Sequence, residues 1–121
     1  VSATVWIAVA LLGGVGAVGR FVLDAAIGAR SGQEWPVGTL VINASGALAL
    51  GLLTGLAVTG NALLLAGTAT LGSYTTFSTW MLETHRLRED ARFLPALANV
   101  LISLAVGVGA AALGRVIGAH V

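Results

Sequence analysis

"GGVGAVGRF", residues 13 to 21, contains a G-x-G-x-x-G at Gly14, Gly16 and Gly19, a pattern with two very different structural meanings. In a βαβ unit this pattern is the phosphate-cradling turn of a dinucleotide site. There it follows a strand, opens a helix and has an acidic residue about 20 positions on. Inside an apolar helix the same glycines are surfaces where another helix approaches closely. The rest of the chain selects the second reading. Its 121 residues are 57% hydrophobic and 9% charged, with six arginines, five acidic residues and no lysine. Ordinary soluble domains are about 25% charged. Eleven charged side chains cannot cover the surface of a soluble protein of this size, so the composition is that of an integral membrane protein.

The placement of the charges divides the chain into spans. No side chain is charged in residues 1 to 19, in the 48 residues from 35 to 82, or in the 22 residues from 93 to 114. One membrane crossing takes about 20 apolar residues. The 48-residue run is therefore two crossings, with "VTGNA" (58 to 62) as the turn between them and Gly60-Asn61 as its breaker. The expected helices cover residues 4–23, 37–58, 62–83 and 95–117. Pro36 and Pro95 fall at helix starts, where a missing N–H costs nothing. The first span lacks the basic flank and cleavage site of a signal peptide, so it is expected to stay as one of four. The chain reads as a single four-span, all-α membrane domain. With no cysteines it has neither a disulfide framework nor a thiolate metal site, and its net charge of +1 gives no sign of a nucleic-acid partner.

Small-residue spacings recur at Gly51 and Gly55 and at Gly114 and Gly118. They serve packing within the chain or the formation of an oligomer. Four helices of this length pack without leaving an aqueous lumen, so transport would need an interface between subunits. Polar residues inside the bilayer mark where such a path runs, because each must find a partner or line water. Asn43 and Ser45 occupy the second span; Asn99 and Ser103 share a face of the fourth. Either asparagine reads as interhelical glue or as a path-lining donor. The third span is the unusual one. "TATLGSYTTFSTW" (68 to 80) holds seven serines and threonines in thirteen residues, with Gly72 near mid-membrane. A backbone break there would release carbonyl oxygens, which are ligands for hard cations. The alternative is an unbroken helix whose hydroxyls bond back to the preceding turn.

At these residues the sequence resembles the small fluoride ion channels, often called Fluc. "GSYTTFSTW" (72 to 80) is close to that family's third-helix G-x-x-T-T-F-S-T-F signature. "GTLVINASGALALG" (38 to 51) is similar to its second-helix G-T-x-x-x-N-x-x-G segment, and "GAVGRF" (16 to 21) to its first-helix glycines and arginine. The resemblance implies passive fluoride efflux across the cell membrane through an antiparallel, dual-topology dimer with two pores. It makes Asn43 the pore-lining amide donor and Phe77 the first aromatic of a fluoride-contacting box, with Ser78 and Thr79 on a hydroxyl track. The main-chain carbonyls of Gly72 and Thr75 from both subunits would hold a structural sodium ion at the dimer centre. Arg20 would sit near an aqueous vestibule. The second aromatic of the box, usually phenylalanine, is here Trp80, whose indole is larger and adds an N–H donor. Glu83 lies at the track's end or caps the span in water.

Two other classes compete. A small four-helix drug or cation exporter needs a protonatable carboxylate within the membrane, and the first span has no acidic residue before Asp24. A non-transporting assembly subunit has no need of so polar a third span. An enzyme is not expected: His85 and His120 lie at span ends and no Ser/His/Asp set converges. The arginines add a further expectation. Arg30, Arg86, Arg88 and Arg92 fall on one side of the four-span layout, with Arg20 near it, and only Arg115 on the other. Such a bias sets orientation. Either compensating charges lie beyond this stretch, or the subunit prefers the 24–35 and 84–94 loops in the cytoplasm and pairs with an oppositely inserting paralogue rather than with itself.

Overall fold

The computed structural model describes residues 1–31 and 34–121; Gly32 and Gln33, part of the expected 24–35 loop, lie outside the described residues. The described residues form helices and connections, with no strand among them. Helix α1 is Ala3–Ser31 and α2 is Val37–Gly55. A third rod, α3, covers residues 60–74: α-helical at Gly60–Leu63, π-helical at Leu64–Leu71 and α-helical at Gly72–Tyr74. After a break, α4 is Ser78–Glu89 and α5 is Phe93–His120. Helices α1, α2 and α5 are long and apolar enough to cross a membrane. Trp6, Leu11, Val15, Val18 and Phe21 of α1 are all exposed, as a helix facing hydrocarbon requires.

Glycines set the packing. A methyl group at Gly51 would overlap the Ala111 carbonyl, one at Gly55 the Arg115 carbonyl, and one at Gly114 the Leu48 carbonyl. Both paired-glycine stretches are thus consumed in one close α2–α5 contact inside the chain. Of the first-helix glycines, Gly16 abuts the Thr70 carbonyl and the Ser73 hydroxyl, whereas Gly14 and Gly19 face open space. The contacts also fix direction. Gly51 meets Ala111 and Gly55 meets Arg115, so α2 and α5 run parallel; Gly13 and Gly16 against Ala69 and Thr70 make α1 and α3 parallel. Asn43 pairs with Thr76 while Leu50 meets Gly67, so α2 and α3 are antiparallel. The chain therefore reverses between α1 and α2, between α2 and α3, and again before α5.

Helix ends differ from the sequence expectation for local reasons. Helix α1 continues past residue 23 to Ser31, because Arg20 and Asp24 are as compatible with a helix as the apolar residues before them. Helix α2 stops at Gly55, three residues early. The Val58 N–H bonds the Leu53 carbonyl at 3.0 Å and the Ala57 N–H bonds that of Thr54 at 3.1 Å, a Schellman closure. Its left-handed position is Ala57, with φ of 58°, where glycine is the usual occupant. The expected breaker Gly60, with φ of +63°, instead begins α3. Ala57→Gly should raise stability in detergent by about 1 kcal/mol, the left-handed penalty of a Cβ; an unchanged unfolding temperature would count against that strain.

The third rod breaks, but after Tyr74 rather than at Gly72. Gly72 is helical and Thr75 is extended, with φ of −79° and ψ of 161°. The π-helical turn ahead of the break is held by the Thr70 hydroxyl, which reaches back five residues to the Leu65 carbonyl at 2.7 Å. Such bulges gather at functional sites.

Candidate functional site

The site is the break itself. Asn43 on α2 clamps Thr76 at both backbone groups: its Nδ2 donates to the Thr76 carbonyl and its Oδ1 accepts the Thr76 N–H, each at 2.8 Å. One Nδ2 proton remains for another acceptor. The Thr76 hydroxyl accepts the Thr79 N–H at 3.1 Å, capping the start of α4, and donates to the Thr79 hydroxyl at 3.1 Å, with the Ser78 hydroxyl 3.4 Å away. The single Thr76 proton being so used, the Ser78 hydroxyl is the donor in its contact with Thr76, and the Thr79 hydroxyl proton is left for another acceptor. Thr70, Ser73 and Thr75 behave otherwise. Their hydroxyls bond back to carbonyls of their own preceding turn, so both readings of this polar segment hold, on different stretches of it.

Phe77 and Trp80 bring an aromatic pair to the same place. Their rings are edge to face, 5.8 Å apart at 88°, within the favoured range for such contacts. Phe77 is 70% exposed. Trp80 is anchored: its indole N–H donates to the Asn99 carbonyl on α5 at 3.0 Å, and Asn99 Nδ2 returns to the Trp80 carbonyl at 3.4 Å and to the Thr84 hydroxyl at 2.8 Å. The donor that distinguishes tryptophan from phenylalanine is thus spent on α5. Asn99, 1% exposed, is interhelical glue. Trp80→Phe should lose about 1 kcal/mol of stability, one net hydrogen bond, while retaining conduction; thermal unfolding and ion efflux of the same preparation would check both halves.

Two cavities meet at the break and a third lies beyond it, toward the charged end. The largest, about 900 Å³, is an open and mostly apolar cleft bordered by Asn43, Gly72, Thr75, Thr76, Phe77 and Trp80, with Ser103 and Gly107 on the α5 wall. A second, about 230 Å³, lies on the other side of Thr76 and brings Arg20, Asp24 and Thr39 to Thr79. A third, about 330 Å³, is polar and holds Glu83 with Asp24, Arg86 and Arg92. The Thr39 hydroxyl donates to the Glu83 carboxylate, so Glu83 is joined to α2 and stands between the polar end and the Thr79 side. The structure therefore gathers Asn43, Phe77, Ser78, Thr79 and Trp80 at one break, puts Gly72 and Thr75 on its cleft side, and places Arg20 in the smaller cavity beside Thr79 and Glu83 in the polar one.

Sequence reasoning passed over Thr76, which borders two of these cavities and joins Asn43 to α4. Its signal was present: a threonine three residues before Thr79 is a capping spacing. The end of the molecule nearest the polar cavity is also tied together, by Arg92 to the Glu34 carbonyl at 2.7 Å and Trp35 Nε1 to the Pro95 carbonyl at 3.2 Å.

Comparison with known proteins finds relatives along nearly the whole chain. Residues 7–115 match the family model described as CrcB-like protein, Camphor Resistance (CrcB). A protein of Mycolicibacterium paratuberculosis named Fluoride-specific ion channel FluC 2 is 56% identical over 111 residues, covering 92% of this chain and 91% of its own length. The protein of that name from Mycobacterium tuberculosis is 51% identical, over 92% of this chain and 88% of its own. One from the more distant Haloarcula marismortui is 44% identical, over 84% and 87%. With nearly its whole length matched by the model and by relatives at these identities, the chain belongs to the CrcB-like family.

Proposed function

We propose that this chain is one subunit of a fluoride-selective channel through which fluoride leaves the cell passively, lowering its cytoplasmic concentration. It is a multi-pass membrane protein, and the relatives that match it end to end are named for fluoride conduction. The observation that carries the reading is the break at residues 75–77, where unused donors and aromatic edges converge. Fluoride is small and strongly hydrated, so it sheds water only against dense donors. Here these are the second Asn43 amide proton and the Thr79 hydroxyl, joined by the Ser78 hydroxyl when it turns from its 3.4 Å contact with Thr76, with positive ring edges from Phe77 and Trp80. None of these donors carries a full charge, and weak, multiple sites suit conduction. Arg20, which borders the smaller cavity with Thr79, would supply positive charge on the anion's approach.

The broken rod of residues 60–89 would make the fourth crossing beside α1, α2 and α5. The open cleft and exposed Phe77 would be covered by a second subunit, antiparallel to the first. The Gly72 and Thr75 carbonyls suit a sodium ion there: their residues face the cleft, and oxygen ligands are what a hard cation takes. A cation so held would offset the cost of an anion at mid-membrane. Within one chain a side chain at Gly72 would meet nothing nearer than the Gly67 carbonyl at 3.8 Å.

The test is efflux from liposomes read with a fluoride electrode, with a potassium ionophore to dissipate charge. Fluoride should leave rapidly while chloride is retained. Equal rates for the two anions, or strict dependence on a pH gradient as in a proton-coupled exporter, would sink the reading. The arginine-rich end further implies one preferred insertion, with residues 84–94 cytoplasmic, and a partner inserting the other way. Reporters fused to the C-terminus should then signal from one side of the membrane only; comparable signal from both sides would mean that the chain pairs with itself.

A further inference from the structure

We infer that Asn43 and Thr76 are positioning residues for the Gly72 and Thr75 carbonyls. Each captures the N–H that a continuous helix would give to one of those oxygens, and so frees the oxygen for a dehydrated monovalent cation. The inference rests on the cation reading above and adds the residues that create the site.

In an α-helix the N–H of each residue bonds the carbonyl four positions earlier. The donor due to the Gly72 carbonyl is therefore the Thr76 N–H, and the donor due to Thr75 is the Thr79 N–H. Both go elsewhere: Thr76 N–H to Asn43 Oδ1 at 2.8 Å, and Thr79 N–H to the Thr76 hydroxyl at 3.1 Å. The two captures are linked, because Asn43 Nδ2 also holds the Thr76 carbonyl at 2.8 Å and so fixes the residue that makes the second. The nearby hydroxyls of Ser73 and Thr75 do not replace the lost donors, being bonded to the Ala69 and Leu71 carbonyls at 2.6 and 2.9 Å.

A carbonyl left without a donor away from water is costly. A cation stripped of its hydration shell removes that cost, as it does among the backbone carbonyls of a cation-selective filter. Gly72, Thr75, Asn43 and Thr76 all border the same cleft. The asparagine that offers one amide proton to the pore thus also builds the cation site, so anion path and cation site share a residue.

The experiment is a sodium titration of the purified dimer in detergent, with N-methylglucamine as the replacement cation and unfolding temperature as the readout. Thr76→Val keeps the shape and removes the capping oxygen; Thr76→Ser restores it. The Val variant should raise the sodium midpoint by about 10- to 100-fold, the scale on which supporting partners of a metal site act, and the Ser variant should return it to the wild-type range. Should Thr76→Val not fold, Asn43→Ala decides: it removes the oxygen that captures the Thr76 N–H and should lose sodium stabilisation. Sodium stabilisation unchanged in Thr76→Val or in Asn43→Ala overturns the positioning role while leaving the cation reading intact. A wild-type protein indifferent to sodium overturns both.

Discussion

Asn43→Ala should cut fluoride flux by more than about tenfold and also destabilise the subunit. The family resemblance makes Asn43 a pore donor. The structure adds a second role, since the amide satisfies both backbone groups of Thr76 at 2.8 Å. Truncation leaves an N–H and a carbonyl unpaired at membrane depth, each costing roughly 1–3 kcal/mol. Asn43→Asp keeps the acceptor for the Thr76 N–H but removes the donor to the Thr76 carbonyl and sets a carboxylate against the anion, so flux should disappear and the subunit should still be destabilised. The measurements are efflux from liposomes and thermal unfolding in detergent. Wild-type flux in Asn43→Ala would remove this residue from the pore, and unchanged stability would mean that the clamp on Thr76 contributes little.

The second large effect is expected far from the pore. Gly114→Ala adds one methyl group where the Leu48 carbonyl and Leu52 nitrogen of α2 already fill the space. Both obstacles are backbone, so no side-chain rotation relieves them and the helices must part. The expected loss is roughly 3 kcal/mol, the upper end for overpacking. Gly14→Ala is the matched control. Its methyl meets nothing within 4 Å, and replacing glycine within a helix gains up to about 1 kcal/mol. Comparable unfolding temperatures for the two variants would show that the close α2–α5 approach does not carry the stability assigned to it.

What the sequence determined by itself follows from two local quantities. The charge-free stretches dictated a membrane protein, because apolar runs of that length have no other stable surroundings. The Ser/Thr density around Gly72 marked the segment that would not stay a regular helix, and the residues from 72 to 80 with Asn43 carried the family resemblance. Those features depend on composition and spacing, which are visible without coordinates.

The tertiary structure decided which of several equivalent groups take which partner. Gly51 with Gly55, and Gly114 with Gly118, read alike as surfaces for this chain or for another; only packing shows that they meet each other, while Gly14 and Gly19 stay open. Two asparagines in apolar spans also look alike. Asn99 is buried glue between Trp80 and Thr84, whereas Asn43 holds the break, because antiparallel α2 and α3 bring position 43 opposite position 76. The break falls at Thr75 rather than Gly72 for the same reason: glycine lowers the cost of leaving a helix, but the place of departure is set where another helix supplies substitute hydrogen bonds. Thr76 went unnoticed because its importance lies in its N–H and carbonyl, which every residue has. Backbone groups carry no signature in a sequence; only the fold shows who bonds them.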